Sequence, residues 1–154
     1  MNEDQWYFAY GSNLSTNQKE ARTGPVREKR RGRLEGYRLT FNKRGDDGTG
    51  KATIVEERNA TVWGVVYRCG RATLLEMDKR EGVDRGHYTR AHVCIQCDDG
   101  GELDAITYVG GPAFTKGYLA PSEKYLATIL KGARENGLPD RYIDEIKMAS
   151  LHPR

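Results

Sequence analysis

The chain has 154 residues, enough to bury one core and short for two, and an apolar share of 37% makes that core a modest one. Its 25 Lys and Arg stand against 22 Asp and Glu, and a net charge of +3 this small and scattered excludes an extended nucleic-acid track. Three Cys cannot all pair, which argues against a secreted disulfide scaffold, and no apolar stretch approaches the ~20 residues of a membrane span. The opening residues are polar and acidic, then aromatic, unlike a secretory leader, so a cytoplasmic protein with no nucleic-acid or membrane partner is expected. The first element is the aromatic run Trp6-Tyr7-Phe8-Ala9-Tyr10, which reads as a strand. It stops at Gly11-Ser12-Asn13, and Ser15-Thr16-Asn17-Gln18 then opens a helix over 16–22. A strand ending in a Gly-led loop before a helix offers backbone N–H groups to a carboxylate or phosphate. It is also the form of an ordinary strand–turn–helix junction, and both readings stand at this point.

The basic run 27–33 follows. No aromatic residue interleaves with it, so it reads as a solvated connector leading into a strand. Residues 36–42 alternate Tyr37, Leu39 and Phe41 on one side, a half-buried strand. Residues 43–51 are rich in Gly and Asp and read as an exposed loop. A short β run over 52–56 precedes residues 60–67, whose near-continuous apolarity implies burial on both faces. Thr73-x-x-Glu76 is a capping box for a helix that Gly82 would end. A strand over 88–97, the turn Asp98-Asp99-Gly100-Gly101 and a returning strand over 103–109 form a hairpin, which Gly110-Gly111-Pro112 breaks. Pro121-Ser122 opens an amphipathic helix with Tyr125, Leu126, Ile129, Leu130 and Ala133 on one face. Gly137 ends it, and Pro139-Asp140 starts a last helix carrying Tyr142, Ile143, Ile146 and Met148. No repeat or linker divides the chain, so residues 1–154 are expected to form a single α+β domain, a closed or nearly closed antiparallel sheet flanked by helices.

Three chemical motifs fail on inspection. Gly45-Asp46-Asp47-Gly48-Thr49-Gly50-Lys51-Ala52 nearly spells a phosphate-binding loop. It lacks the hydroxyl after Lys51, a β-like run follows it, and its two Asp repel phosphate. Cys94-x-x-Cys97 lies in a strand, where the two thiols point to opposite faces. His92 joins only Cys94, and a structural zinc needs four ligands, so no metal site is expected. His87, His92 and His152 accompany no nucleophile elbow, and His87 reads as an exposed residue beside a turn.

The anomaly is a carboxylate. Leu74, Met77, Asp78 and Glu81 fall at i, i+3, i+4 and i+7, the stripe of the helix that should face the core. A Glu81 held there would have a raised pKa, as a general acid or base near neutral pH requires. Alternatively, Glu81 lies at the helix end, where it could reach solvent or pair with Arg85 or Arg90.

Five segments together resemble the γ-glutamylcyclotransferase (AIG2-like) family. They are Tyr7-Phe8-Ala9-Tyr10-Gly11-Ser12-Asn13-Leu14, Gly50-Lys51-Ala52-Thr53-Ile54, Val62-Trp63-Gly64-Val65-Val66-Tyr67, Met77-Asp78-x-x-Glu81-Gly82-Val83 and Gly132-Ala133-Arg134-Glu135-Asn136-Gly137-Leu138-Pro139. They come in the family's order and span nearly the whole chain, and Tyr-Gly-Ser-Asn with a downstream Glu-Gly at this distance is the specific part. The resemblance implies a small mixed, mainly antiparallel β-barrel flanked by helices. It implies an enzyme that cyclises a γ-glutamyl amide to 5-oxoproline, releasing an amino acid or amine, with no metal or organic cofactor because the nucleophile is inside the substrate. Glu81 takes the place of the family's catalytic Glu. Tyr10, Gly11, Ser12, Asn13 and Leu14 take that of its substrate loop, and Tyr88 that of a pocket Tyr. Asp78 has a supporting role, organising the helix or tuning Glu81 by like charge. The expected partner is a small γ-glutamyl substrate, bound by a monomer or homodimer. The same residues would suit an enzyme removing a γ-glutamyl protecting group in a biosynthetic route, or a module that binds without turnover. Met77 replaces the family's usual Leu, residues 110–120 match no fixed pattern, and the longer C-terminal tail of some relatives is not present in the sequence.

Overall fold

The opening aromatic run forms strand β1 (Gln5–Ala9), whose last three residues are buried. The computed structural model describes residues 4–115 and 117–151, so His152 lies outside the described residues. Strands β2 (Glu28–Arg44) and β3 (Gly50–Cys69) pair antiparallel along most of their length, and β4 (Tyr88–Cys97) and β5 (Glu102–Gly110) form the hairpin expected around the Asp-Asp-Gly-Gly turn. The strand order is β1-β3-β2-β4-β5, and the sheet closes where β5 runs parallel to β1, with Trp6 opposite Ala105 and Tyr7 opposite Ile106. A closed sheet leaves no unpaired edge. The result is the expected mixed, mainly antiparallel barrel.

Among the described residues four α-helices surround the barrel: α1 (Thr16–Thr23), α2 (Arg71–Arg80), α3 (Glu123–Glu135) and α4 (Asp140–Leu151). Ser15 and Ser122 cap α1 and α3 by accepting the N–H groups of Gln18 and Tyr125. The apolar stripe of α3 buries Ile129 and Ala133, and that of α4 buries Tyr142, Ile143 and Ile146. The core includes Phe8, Phe41, Ile54, Val62 and Ile95, each no more than 1% exposed. Val65, Val66 and Tyr67 are buried in succession, as the apolar run predicts. Among the described residues no helix is long and apolar enough to cross a membrane.

Four local expectations need correction. The basic run 27–33 is mostly strand rather than connector, because Glu28 through Glu35 pair with Arg68 through Thr61; only its side chains stay in water, several in ion pairs. The runs 52–56 and 60–67 belong to one strand. The register jumps from Glu35–Thr61 to Tyr37–Glu56, and the chain accommodates the extra residues in a bulge where Asn59 takes φ 70°. Helix α2 starts at Arg71 behind Gly70, so Thr73 lies inside it and the capping box is not used. Lys43 belongs to β2 and is buried, which shortens the exposed loop at its start.

Candidate active site

Where β1 ends, the chain turns at Gly11, and Ser12–Leu14 forms a single 3-10 turn closed by the Leu14 N–H donating to Gly11 O at 3.0 Å. Hydrogen bonds from three directions hold this turn. The Tyr67 hydroxyl donates to Asn13 O at 2.7 Å, the Asn13 amide donates to the Tyr7 hydroxyl at 3.1 Å, and Arg22 of α1 donates to Ser12 Oγ at 3.1 Å. Helix α3 supports the turn from behind. Asn136 just past its end donates to Leu14 O at 2.7 Å, and a Cβ added at Gly132 would lie 2.5 Å from the Leu14 carbonyl carbon. Only a glycine lets the helix approach the loop this closely.

Glu81 follows α2 directly, its N–H donating to Met77 O at 2.9 Å. Leu74 and Met77 bury the same stripe against the barrel, which carries the next position on that stripe, Glu81, toward the interior. Gly82, at φ 64°, then turns the chain away. Glu81 lines a cavity of about 440 Å³ together with Ser12, Asn13, Arg22, Lys43, Tyr88 and Tyr125. A recess of about 40 Å³, bounded by Glu81, Gly11, Ser12, Asn13, Tyr10 and Tyr88 among others, lies against it.

Burial raises the Glu81 pKa, and the nearby charges of Arg22, Lys43 and Arg80 oppose the rise without cancelling it. Of the two alternative partners, Arg90 is engaged by Asp78 at 2.8 Å, and Arg85 lines the same cavity as Glu81. Burial also lifts Tyr7, Tyr10 and Tyr88 well above the ordinary phenol value, so the walls present neutral hydroxyls. Tyr88 and Tyr125 clamp Ala52 of β3: Tyr88 donates to its carbonyl at 2.9 Å, and Tyr125 accepts from its N–H at 3.0 Å.

Gly11, Ser12, Asn13, Tyr10, Tyr88 and Glu81 thus meet at one place in the fold. Leu14 does not join them. It is fully buried in the core, and its backbone is what α3 supports. Asp78 accepts hydrogen bonds from Tyr108 at 2.6 Å and Arg90 at 2.8 Å, tying α2 to β5 and β4. Cys94 is exposed and Cys97 buried, as expected of opposite strand faces. Among the described residues no group of three His, Cys, Asp or Glu could hold a metal ion.

This geometry can be compared with known proteins. The model of the AIG2-like family matches residues 61–146, a span holding Glu81, Tyr88 and Tyr125. The γ-glutamylcyclotransferase of Bos taurus is 35% identical over 152 residues, covering 96% of this chain and 78% of the relative. That of Homo sapiens is 35% identical over 147 residues, covering 92% and 76%. A solved structure described as a γ-glutamyl cyclotransferase superposes with a TM-score of 0.86 at 33% identity, covering 94% of this chain and 87% of its own. The chain belongs to the γ-glutamylcyclotransferase family. It is thereby placed among enzymes that act on small molecules.

Within this γ-glutamylcyclotransferase fold, several cavity residues carry no signal in the sequence. Arg22 looks like any basic residue in a last helical turn, and Tyr125 belongs to the apolar face of α3. Lys43 sits where the Gly- and Asp-rich composition suggests a loop. His87 is not a plain surface residue: its ring stacks on Phe114 at 3.8 Å, and its Nδ1 lies 2.8 Å from Lys43 Nζ. Each of these placements depends on a neighbour distant in sequence.

Proposed function

We propose that this chain cyclises the γ-glutamyl group of a small γ-glutamyl amide to 5-oxoproline, with Glu81 as general base and then general acid. The observation that carries the reading is that Glu81, with its raised pKa, and the Gly11–Asn13 turn line one recess in a member of this family. The glutamyl α-carboxylate lies against the backbone N–H groups of Gly11, Ser12 and Asn13, with the Arg22 guanidinium beside it; the first N–H groups of such a turn have no partner within it. The substrate's α-ammonium loses a proton to Glu81. The freed amine attacks the γ-carbonyl carbon to close a five-membered ring; the ring nitrogen then sheds a second proton, and as the amide C–N bond breaks Glu81 relays both protons to the departing nitrogen, which leaves as an ammonium. Nucleophile and carbonyl already share one molecule, so the site's work is to fold the substrate into a near-attack conformer and move those protons. Tyr10 and Tyr88 close the walls as neutral hydroxyls fixed on the backbone carbonyls of Tyr108 and Ala52, Asp78 holds the helix that ends at Glu81, and Leu14 anchors the turn. The chemistry calls on no metal or organic cofactor. A cytoplasmic location, a single domain over residues 1–154, and a monomer or homodimer go with the same reading.

The test is release of 5-oxoproline, followed by chromatography, from a panel of γ-glutamyl dipeptides and γ-glutamyl amines. Glu81→Gln is expected to lower kcat by about 10²–10⁴ while substrate binding persists. Wild-type turnover in that variant removes Glu81 from the mechanism.

A further inference from the structure

A second cavity, of about 550 Å³, lies between α4 and the β2–β3 ribbon, and none of the residues lining it lines the cavity that holds Glu81. The bulge in β3 supplies part of its wall. Asn59 turns the chain there at φ 70°, and residues 57–60 leave the ladder between the pairs Glu35–Thr61 and Tyr37–Glu56. Glu57, the first residue of the bulge, accepts the Arg38 Nε–H at 2.9 Å. The Arg38 side chain is 18% exposed, and its Nη1 is buried with no hydrogen-bond partner. Leaving such a donor unpaired is costly, so the strand wall of this cavity gains from an acceptor. Leu39, Trp63 and Ile146 give the cavity an apolar lining.

Helix α4 brings the remaining charges. Arg141 in its first turn and Glu145 one turn further lie on one face, exposed, and both line the cavity. The ion pair within α4 joins Lys147 to Asp144, and among the described residues Arg141 and Glu145 have no ion-pair partner. A cation four residues before a carboxylate is the weaker order for direct pairing on a helix. Arg141 also lies at the positive end of the helix dipole, where a cation is unfavourable until an anion joins it. The cavity therefore carries two guanidinium groups and two carboxylates beside an apolar lining. A set of one sign selects an ion; this balanced set, with one pair closed and the other held apart, suits a molecule that carries both charges.

We propose that this cavity binds a free α-amino acid with an apolar side chain. The carboxylate lies at Arg141 and Arg38, the ammonium at Glu145, and the side chain against Trp63 and Ile146. The inference does not rest on the chemistry at Glu81; it adds a second small-molecule site to the protein.

The probes are L-leucine, N-acetyl-L-leucine, which lacks the ammonium, and L-leucinamide, which lacks the carboxylate. The sequence has two Trp, so the isotope-labelled full chain gives two indole N–H signals in proton–nitrogen NMR, and Trp63→Phe identifies the one from Trp63. L-Leucine should shift that signal with a Kd of about 0.1–1 mM, and each derivative should bind at least about tenfold more weakly. Arg141→Gln and Glu145→Gln change exposed side chains; each should weaken L-leucine binding about tenfold and leave Tm unchanged. An unmoved Trp63 signal up to about 10 mM L-leucine overturns the proposal. Equal binding of the three probes also overturns it, since the site would then read only the apolar side chain. So do shifts confined to residues around Glu81, which would place L-leucine in the other cavity, and so does wild-type affinity in both α4 variants.

Discussion

Gly132→Ala tests whether α3 sets the position of the substrate turn. A Cβ there would stand 2.5 Å from the Leu14 carbonyl carbon and 2.8 Å from its Cβ, with Ser15 N nearer still. Carbon contacts relax at about 3.5 Å, so helix and turn must separate by about 1 Å. The nearest obstacles are backbone atoms, and no rotamer change relieves them. Overpacking of this kind costs about 1–3 kcal/mol. With an unfolding entropy of about 2.1 cal/mol/K per residue over 154 residues, Tm should fall by about 3–9 °C. The same displacement reaches Ser12 and Asn13 through Leu14. Misplacing a substrate-positioning group by about 1 Å costs about 10²-fold, so kcat/KM should fall toward that limit. Thermal melts and 5-oxoproline release measure the two effects. Lys131→Ala, on the exposed face of the same helix with its side chain 72% exposed, is the control and should change neither. Wild-type Tm and kcat/KM in Gly132→Ala would refute the close-packing argument. A lowered Tm with unchanged kcat/KM would show that the helix yields and the turn stays, refuting the support role.

Asp78→Ala removes the acceptor of two hydrogen bonds and leaves the buried Tyr108 hydroxyl without its partner. The Arg90 contribution is discounted because its side chain is 34% exposed, so a loss of about 1–2 kcal/mol is expected in urea unfolding; an unchanged midpoint would mean that Asp78 does not secure α2. Glu81 predicts a stability effect of definite sign. Its folded pKa is raised, so the folded state binds its proton more readily than the unfolded chain. Above the folded pKa the ionised carboxylate therefore destabilises the fold, and below the ordinary carboxylate value of about 4.3 the effect is absent. Glu81→Gln should melt higher than wild type at about pH 7.5 and lose that advantage below about pH 4. Equal melting at both pH values would mean that Glu81 is not desolvated.

Local information was enough for the helices with strong amphipathic stripes and for the β4–β5 hairpin, because periodicity and turn chemistry act over a few residues. It was not enough for β2 and β3. The charged residues of 27–33 look like a connector, yet the backbone from Glu28 onward finds ladder partners on β3, and the polar residues between the runs 52–56 and 60–67 form a bulge rather than a turn between two strands. For the site, the sequence alone singled out Glu81, as a carboxylate on an apolar stripe, and the Tyr-Gly-Ser-Asn turn. It left open whether Glu81 reached solvent or the interior, and whether the turn was a junction or a binding surface. Closure of the sheet and the approach of α3 through Gly132 bring these residues, some 70 positions apart, onto one recess. Arg22, Lys43, His87 and Tyr125 became legible only there. A lone charge or ring takes its meaning from what surrounds it: Lys43 is an ordinary surface lysine until a barrel wall, two aromatic faces and a neutral imidazole take it out of water.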